Sequence, residues 1–285
     1  MYKSIIILIC LSINVSQIYG GFEDRPTYGY HLKIGVPKAL KLRTATSRIV
    51  GGSAVNAANS IPHQAGIVTT LTNGWTSVCG GSIISDTRIL TAAHCWWDGE
   101  SQARLFTVVL GSLTIFSGGT RIDTTNVRVH PQWTTDMIHD IAVAVITKVT
   151  FNNNIQAIAL PSTSEVNLDF VGSAGVISGF GKTSDAQNGF PTTTALHQTT
   201  VSVITNAVCQ NSFRVKIDKS HICVSGAGGK GTCDGDSGGP LTVLHNNRRI
   251  LIGVVSFGPN DGCQVGQPSV FTRVTSYLAW IQAAL

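Results

Sequence analysis

Ser237 lies within Gly235-Asp236-Ser237-Gly238-Gly239-Pro240, and far upstream stand His94, in Thr91-Ala92-Ala93-His94-Cys95, and Asp140, in His139-Asp140-Ile141-Ala142-Val143. A serine hydroxyl is a weak nucleophile until a base takes its proton, and an imidazole serves as that base when a buried carboxylate fixes its tautomer. The three residues are thus the parts of an acyl-transfer site, provided that the fold brings them together. Glycines around Ser237 let the backbone turn sharply and let a carbonyl group approach closely. Asp140 opens the apolar run Ile141 to Ile146, where a carboxylate must find hydrogen-bond donors or bear a heavy desolvation cost. His63, His130, His139, His197, His221 and His245 have no comparable motif.

The string Gly-Asp-Ser-Gly-Gly also satisfies the nucleophile elbow of lipases and esterases. In that fold the acid and the histidine follow the serine, and here only His245 follows, with no acid between it and Ser237. The elements around the three residues argue the same way. From Gly66 onward, short runs rich in Val, Ile and Thr, such as Phe106 to Leu110 and Ile141 to Val145, are separated by Gly, Asn and Ser clusters at Gly118-Gly119, Asn152 to Asn154 and Gly226 to Gly229. This pattern predicts an all-β chain with frequent turns, without the β-α alternation of a parallel sheet. The helical pattern is confined to the end, where Thr275 or Ser276 is placed to cap a segment whose Leu278, Ile281 and Leu285 share a face.

A formal charge of +5 invites a nucleic-acid reading, but residues 1–48 carry seven Lys/Arg and only two acids, and residues 49–285 carry 13 of each sign. The main body is neutral and has no basic footprint for phosphates. Lys3 followed by apolar residues from Ile5 to about Val15 is too short to span a bilayer and has the layout of a secretory signal, with cleavage near Gly20. Residues 1–20 are therefore expected to be a signal peptide of a secreted chain, with no membrane partner. Of seven cysteines, Cys10 would leave with it, and the remaining six imply three disulfides, for which spacing alone allows fifteen pairings. Zinc is a poor alternative because the chain has no C-x-x-C pair.

From Ile49-Val50-Gly51-Gly52 to the C-terminus, the order His94, Asp140, Ser237 and their motifs resemble the chymotrypsin-family serine endopeptidases. Ser256-Phe257-Gly258 and Gly179-Phe180-Gly181 are similar in particular to insect digestive chymotrypsins and collagen-cutting relatives. The resemblance implies two six-stranded antiparallel β-barrels, about 49–155 and 161–273, with the active site in the cleft between them and a C-terminal α-helix. It implies His94 as base, Asp140 as its orienting anion, Ser237 as nucleophile, and an oxyanion hole from the Gly235 and Ser237 N–H groups. Ser256 would support Asp140, while His139 replaces a more usual asparagine with no expected consequence. The implied disulfides are Cys79–Cys95, Cys209–Cys223 and Cys233–Cys263. Residues 21–48 would be an activation propeptide, cut after Arg48 so that the Ile49 amine pairs with Asp236. Having no cysteine, it would leave after the cut.

The resemblance also locates the specificity pocket, with Gly231, six before Ser237, at its base and Ser256, Gly258 and Ser269 along its walls. None of these is charged, so large uncharged side chains such as Phe, Tyr, Leu and Met are the expected fit. Asp234, near the mouth, opens a broader preference as the second reading. An enzyme with no acid at Gly231 should cut poorly after Arg48, which calls for a separate trypsin-like activator. The expected partners are protein substrates and protein protease inhibitors, and the expected state is a monomer without a cofactor. No metal is implied, since the Gly111 to Thr124 loop offers only the Asp123 carboxylate. A catalytically silent homologue with a binding role is the rival class.

Overall fold

The computed structural model describes residues 26–42, 53–56, 61–182, 185 and 195–285. The signal region, Arg48 and Ile49 lie outside the described residues. The Val-, Ile- and Thr-rich runs form antiparallel strands. The short β1 (Ser53–Ala54) belongs to the second of two sheets. The first contains β2 (Gln64–Leu71), β3 (Thr76–Ser85), β4 (Arg88–Thr91), β5 (Ala103–Leu110), β6 (Thr120–Thr124), β7 (Val127–Val129) and β8 (Ala142–Val145), in the order β6-β5-β2-β3-β4-β8-β7. The second adds β9 (Ala174–Gly179), β10 (His197–Ile204), β11 (His221–Val224), β12 (Pro240–His245), β13 (Arg248–Phe257) and β14 (Ser269–Arg273), in the order β1-β10-β11-β14-β13-β12-β9.

The chain is mostly β, a double barrel whose halves close differently. In the second sheet β9 pairs with both β12 and β10, so six strands form a ring and β1 extends it along β10. In the first, no ladder joins β6 to β7. These two strands are consecutive, and the bend between them is stitched to β8, with the Thr124 hydroxyl donating to the Val145 carbonyl at 2.6 Å and the Val145 N–H to the Asn126 carbonyl at 2.9 Å. A single bent strand therefore bridges β5 and β8, and the expected six-stranded barrel is a curl joined at a corner.

Each half fills its interior with its own apolar residues, Ile67, Ile83, Leu90, Phe106, Leu110 and Val143 in the first and Ile177, Val201, Ile222, Leu241, Ile252 and Phe271 in the second. Burial of each large side chain is worth roughly 1.5–3 kcal/mol. Outside the sheets, α1 (Val36–Leu42) follows a π-helical turn, His31–Gly35, and both pack on β3. The short α2 (Asn206–Gln210) is capped by the Thr205 hydroxyl, which accepts from the Val208 N–H at 3.2 Å.

The C-terminal segment departs from expectation in two details. A 3-10 turn, Val274–Tyr277, precedes α3 (Leu278–Ala283), so Tyr277 takes the cap position and neither Thr275 nor Ser276 caps the helix. Leu278 and Ile281 are buried against the first barrel's core, but Leu285 is exposed and Ala284 takes the inward position. The last turn tightens, with the Ala284 N–H donating to the Ile281 carbonyl at 3.0 Å and the Leu285 N–H to the Gln282 carbonyl at 3.3 Å, and carries the last residue out of phase. Among the described residues, no helix is long and apolar enough to cross a membrane.

Candidate active site

His94 sits in a tight 3-10 turn, Ala93–Cys95, immediately before the cysteine that bonds Cys79 of β3. Asp140 stands just ahead of β8. Both side chains are fully buried. With its proton on Nδ1, His94 donates to Asp140 Oδ2 at 2.7 Å, and its main-chain N–H donates to Oδ1 at 2.9 Å. The Ser256 hydroxyl donates to Oδ2 at 2.6 Å, and the Thr272 hydroxyl donates to the Asp140 carbonyl at 2.7 Å. Hydrogen bonding to the charged form is what permits a carboxylate to stay ionised in so dry a place. His139 proves to be structural. It adopts a left-handed backbone at φ 63°, stacks on His130 at 4.7 Å, and accepts or donates a bond with the Tyr277 hydroxyl at 3.0 Å. It thereby ties the residue before Asp140 to the C-terminal segment.

The second barrel supplies the loop from Cys233 to Gly239, held by the Cys233–Cys263 disulfide. The Cys209–Cys223 disulfide joins α2 to β11 nearby in the same barrel. The Ser237 carbonyl accepts from the Gly80 N–H of β3 at 2.7 Å, which pins the serine to the strand that carries Cys79. Asp236, Gly238 and Gly239 spend their N–H groups inside the loop and on Val255, but neither the Gly235 nor the Ser237 N–H donates to any described residue. Those are the two donors expected to face an oxyanion. Gly235 has φ 94°, a conformation that side-chain-bearing residues rarely adopt.

Asp236 points away from Ser237 and is buried, its carboxylate accepting from the Gly181 N–H at 2.7 Å and the Cys233 N–H at 3.0 Å. A side chain at Gly181 would meet that carboxylate at 2.4 Å. Burial pushes the Asp236 carboxyl up to about 6, while these N–H bonds and the charge of Lys38 act in the opposite direction. The structure thus brings Asp140, His94 and Ser237 to one cleft with the Asp140–His94 bond made. His94 Nε2 has no partner among the described residues. The Tyr30 ring stands edge-on to the imidazole at 4.7 Å, and burial raises the Tyr30 phenol pKa while the nearby Ser237 hydroxyl opposes that rise.

Beside Ser237 lies a cavity of about 260 Å³, lined on the second-barrel side by Thr232, Cys233, Asp234, Val255 to Asn260 and Cys263. Of the five residues expected to form the pocket, Asp234, Ser256 and Gly258 are on this lining, whereas Gly231 and Ser269 lie behind it against each other. A Cβ on Gly231 would come within 2.9 Å of Ser269 Oγ, and a Cβ on Gly258 would meet nothing within 4 Å. Ser256 lines the slot, but its hydroxyl is committed to Asp140. Asp234 is engaged by Lys182 through a close side-chain ion pair and through the Lys182 N–H to its carbonyl at 3.1 Å.

Sequence reading missed Lys182, and also Asp185, whose carboxylate accepts from Cys263 and Gln264 at 2.7 and 2.8 Å and so fixes the rim. Neither belongs to a recognisable motif. It also missed Tyr30, His31 and Lys38, for which the available signal was an aromatic and apolar stretch, Tyr28 to Leu42, in a leader that needs none merely to be cut. Among the described residues, two clusters bring together three residues of metal-ligating type each, Cys79/His94/Cys95 and Asp185/Cys233/Cys263, but their cysteines are disulfide-bonded and offer no thiolate.

A buried His–Asp pair on one β-barrel and a glycine-flanked serine on the other, with Tyr30 against both, are the arrangement of a serine endopeptidase of the chymotrypsin type. The family model described as trypsin matches residues 49–281, and the chain belongs to that family. Among curated relatives it is 38% identical to a collagenase of Hypoderma lineatum over 78% of this chain and 81% of the relative. It is 40% identical to brachyurin of Leptuca pugilator over 82% and 97%, and 32% identical to a chymotrypsin of Phaedon cochleariae over 99% and 97%. The solved structure of HL collagenase matches with a TM-score of 0.75 at 36% identity, covering 83% of this chain and 98% of that one.

Proposed function

We propose that this endopeptidase is a secreted, monomeric zymogen that, once cut after Arg48, hydrolyses peptide bonds following large uncharged side chains. In this reading His94 Nε2 takes the Ser237 proton as Oγ attacks the scissile carbonyl carbon. The carbonyl electrons move onto oxygen, to which the Gly235 and Ser237 N–H groups donate hydrogen bonds. His94 then returns the proton to the leaving amine, and water repeats the sequence to release the acid and free Ser237. Asp140 stays ionised throughout and stabilises the imidazolium, with Ser256 holding it in line.

The observation that carries the specificity reading is that the described lining of the slot offers no acid without a cation beside it. Its expected base, Gly231, offers no acid, and the one acid on its lining, Asp234, is already paired with Lys182. A Lys or Arg side chain entering there would be buried without a counter-charge. The broader, collagenolytic reading draws on the similarity to enzymes named collagenase and brachyurin and on Asp234. A digestive setting rests on the similarity to chymotrypsins. With that pocket, cleavage after Arg48 requires a separate trypsin-like protease, and protein protease inhibitors are the expected regulators.

Peptide-library profiling of the trypsin-activated enzyme, after removal of trypsin, tests the proposal. Cleavage after Phe, Tyr, Leu and Met is the expected outcome, and dominant cleavage after Lys or Arg would overturn it. Labelling of Ser237 by an organophosphonate separates the enzyme from a silent homologue.

A further inference from the structure

Residues 26–40 occupy the cleft as a ligand would. Tyr30, 3% exposed, donates from its phenol to the Val78 carbonyl of β3 at 2.7 Å while its ring covers His94. The His31 N–H donates to Asp98 Oδ2 at 2.7 Å, and its Nδ1 meets the Ser77 hydroxyl at 2.8 Å. Val36 and Ala39 are buried, and so is Lys38, whose stem lies 3.0–3.4 Å from where a Cβ on Gly235 would stand. Its charge acts on Asp236. Pro26 and Ile34 line the same cavity as Ser237 and Gly258.

Apart from Lys38 and the Tyr30 phenol's bond with the Ser237 side chain, the polar contacts are made with β3, with the turn that carries His94 and with Asp98, parts of the first barrel braced by the Cys79–Cys95 disulfide. None of them requires the chain to continue unbroken past Arg48. The absence of a cysteine therefore does not imply departure on cleavage. Nor is the segment presented as a substrate. Tyr30 seats its phenol on Val78 rather than against Gly231 and Ser269, and no carbonyl of the segment receives the Gly235 or Ser237 N–H.

We propose that the leader has a second function: after cleavage it is an inhibitor of its own enzyme, binding the cleft through Tyr30 and His31. Lys38 serves as the counter-charge of Asp236 only until the Ile49 amine replaces it. This inference rests on the reading of Ser237 and His94 as the reacting pair and of Arg48 as the cut site.

The test uses a synthetic peptide of residues 21–48, added to activated enzyme from which trypsin and the native leader have been removed. The peptide should inhibit competitively, remain intact by mass spectrometry, and slow organophosphonate labelling of Ser237. Tyr30→Ala in the peptide should weaken inhibition by about tenfold or more, and Lys38→Ala by less, since Asp236 is by then paired elsewhere. A fluorescent form of the peptide should bind the activated Ser237→Ala enzyme, which measures docking independently of turnover. An enzyme that labels normally but ignores the peptide at roughly 100 µM overturns the inference and leaves the catalytic reading intact. Equal binding of the Tyr30→Ala peptide, or rapid cutting after Tyr30, also overturns it. An enzyme that neither labels nor turns over refutes the catalytic reading, and the binding arm still decides whether the leader docks.

Discussion

The two halves of the site are in different states of completion. On the first-barrel side, the His94 Nδ1–H and both Asp140 oxygens are already bonded. On the second-barrel side, the Gly235 and Ser237 N–H groups donate to nothing described, and the Asp236 carboxyl is pushed up to about 6 by burial, with Lys38 of the leader as a cation acting against that rise. The contrast teaches where regulation can act. A buried His–carboxylate pair assembles with the fold, because the donors to the carboxylate, His94 and Ser256, are themselves set by the packed scaffold. A loop rich in glycine and anchored on one buried carboxylate depends on which cation reaches that carboxylate.

Removing the nucleophile should have the largest effect, with Ser237→Ala lowering kcat by about 10⁶-fold in steady-state assays. In the prebuilt half, Asp140→Asn should lower kcat by about 10⁴-fold through the wrong histidine tautomer, with KM little changed. In the switched half, Asp236→Asn should lower kcat of the cut enzyme by about 10²–10³-fold, the loss typical of a misplaced oxyanion donor. The discriminating readout is that the Asp140–His94 pair survives, seen as an unaltered low-field imidazole proton resonance. Loss of that resonance would mean that the halves are not independent.

A gentler cut into the built half is Ser256→Ala, which removes one donor from a buried carboxylate. A charge-assisted hydrogen bond of about 1.5–3 kcal/mol translates into roughly 10–100-fold in kcat, with KM held. The smallest effect concerns the leader. His31 is held below its ordinary pKa, mainly by burial and also by His94, while Asp98 opposes the shift; Tyr30 also faces it. Bound His31 is thus neutral where free His31 near 6.5 is protonated. Docking should be insensitive to pH above 6.5 and weaken below it, by up to about tenfold per pH unit. Peptide binding to the activated Ser237→Ala enzyme measures this, and the His31→Gln peptide should show a flatter profile.

The strand pattern was legible in composition, and the barrel pair and the His94, Asp140 and Ser237 candidates through the family resemblance of short motifs, which record what the local backbone must do. Gly235 and Gly181 illustrate this, one needing a left-handed turn and the other leaving room for a carboxylate. Contacts set by tertiary placement were not legible. Tyr30 meets Val78 and Lys182 meets Asp234 across long separations with no shared motif. The C-terminal cap failed for a related reason: helix propensity at Thr275 and Ser276 gave way to a tighter turn that seats Tyr277 against His139. His139 itself reads as an incidental substitution until its ring is seen between His130 and Tyr277.

The bond from Gly80 to Ser237 and the one from Thr272 to Asp140 each cross from one barrel to the other. Together they staple the nucleophile to the scaffold that bears the base, and the anion to the scaffold that bears the nucleophile. Rigid-body opening of the two lobes would have to rupture both at once. The reacting groups are thereby held in register across the cleft by bonds that do not involve the rim segments.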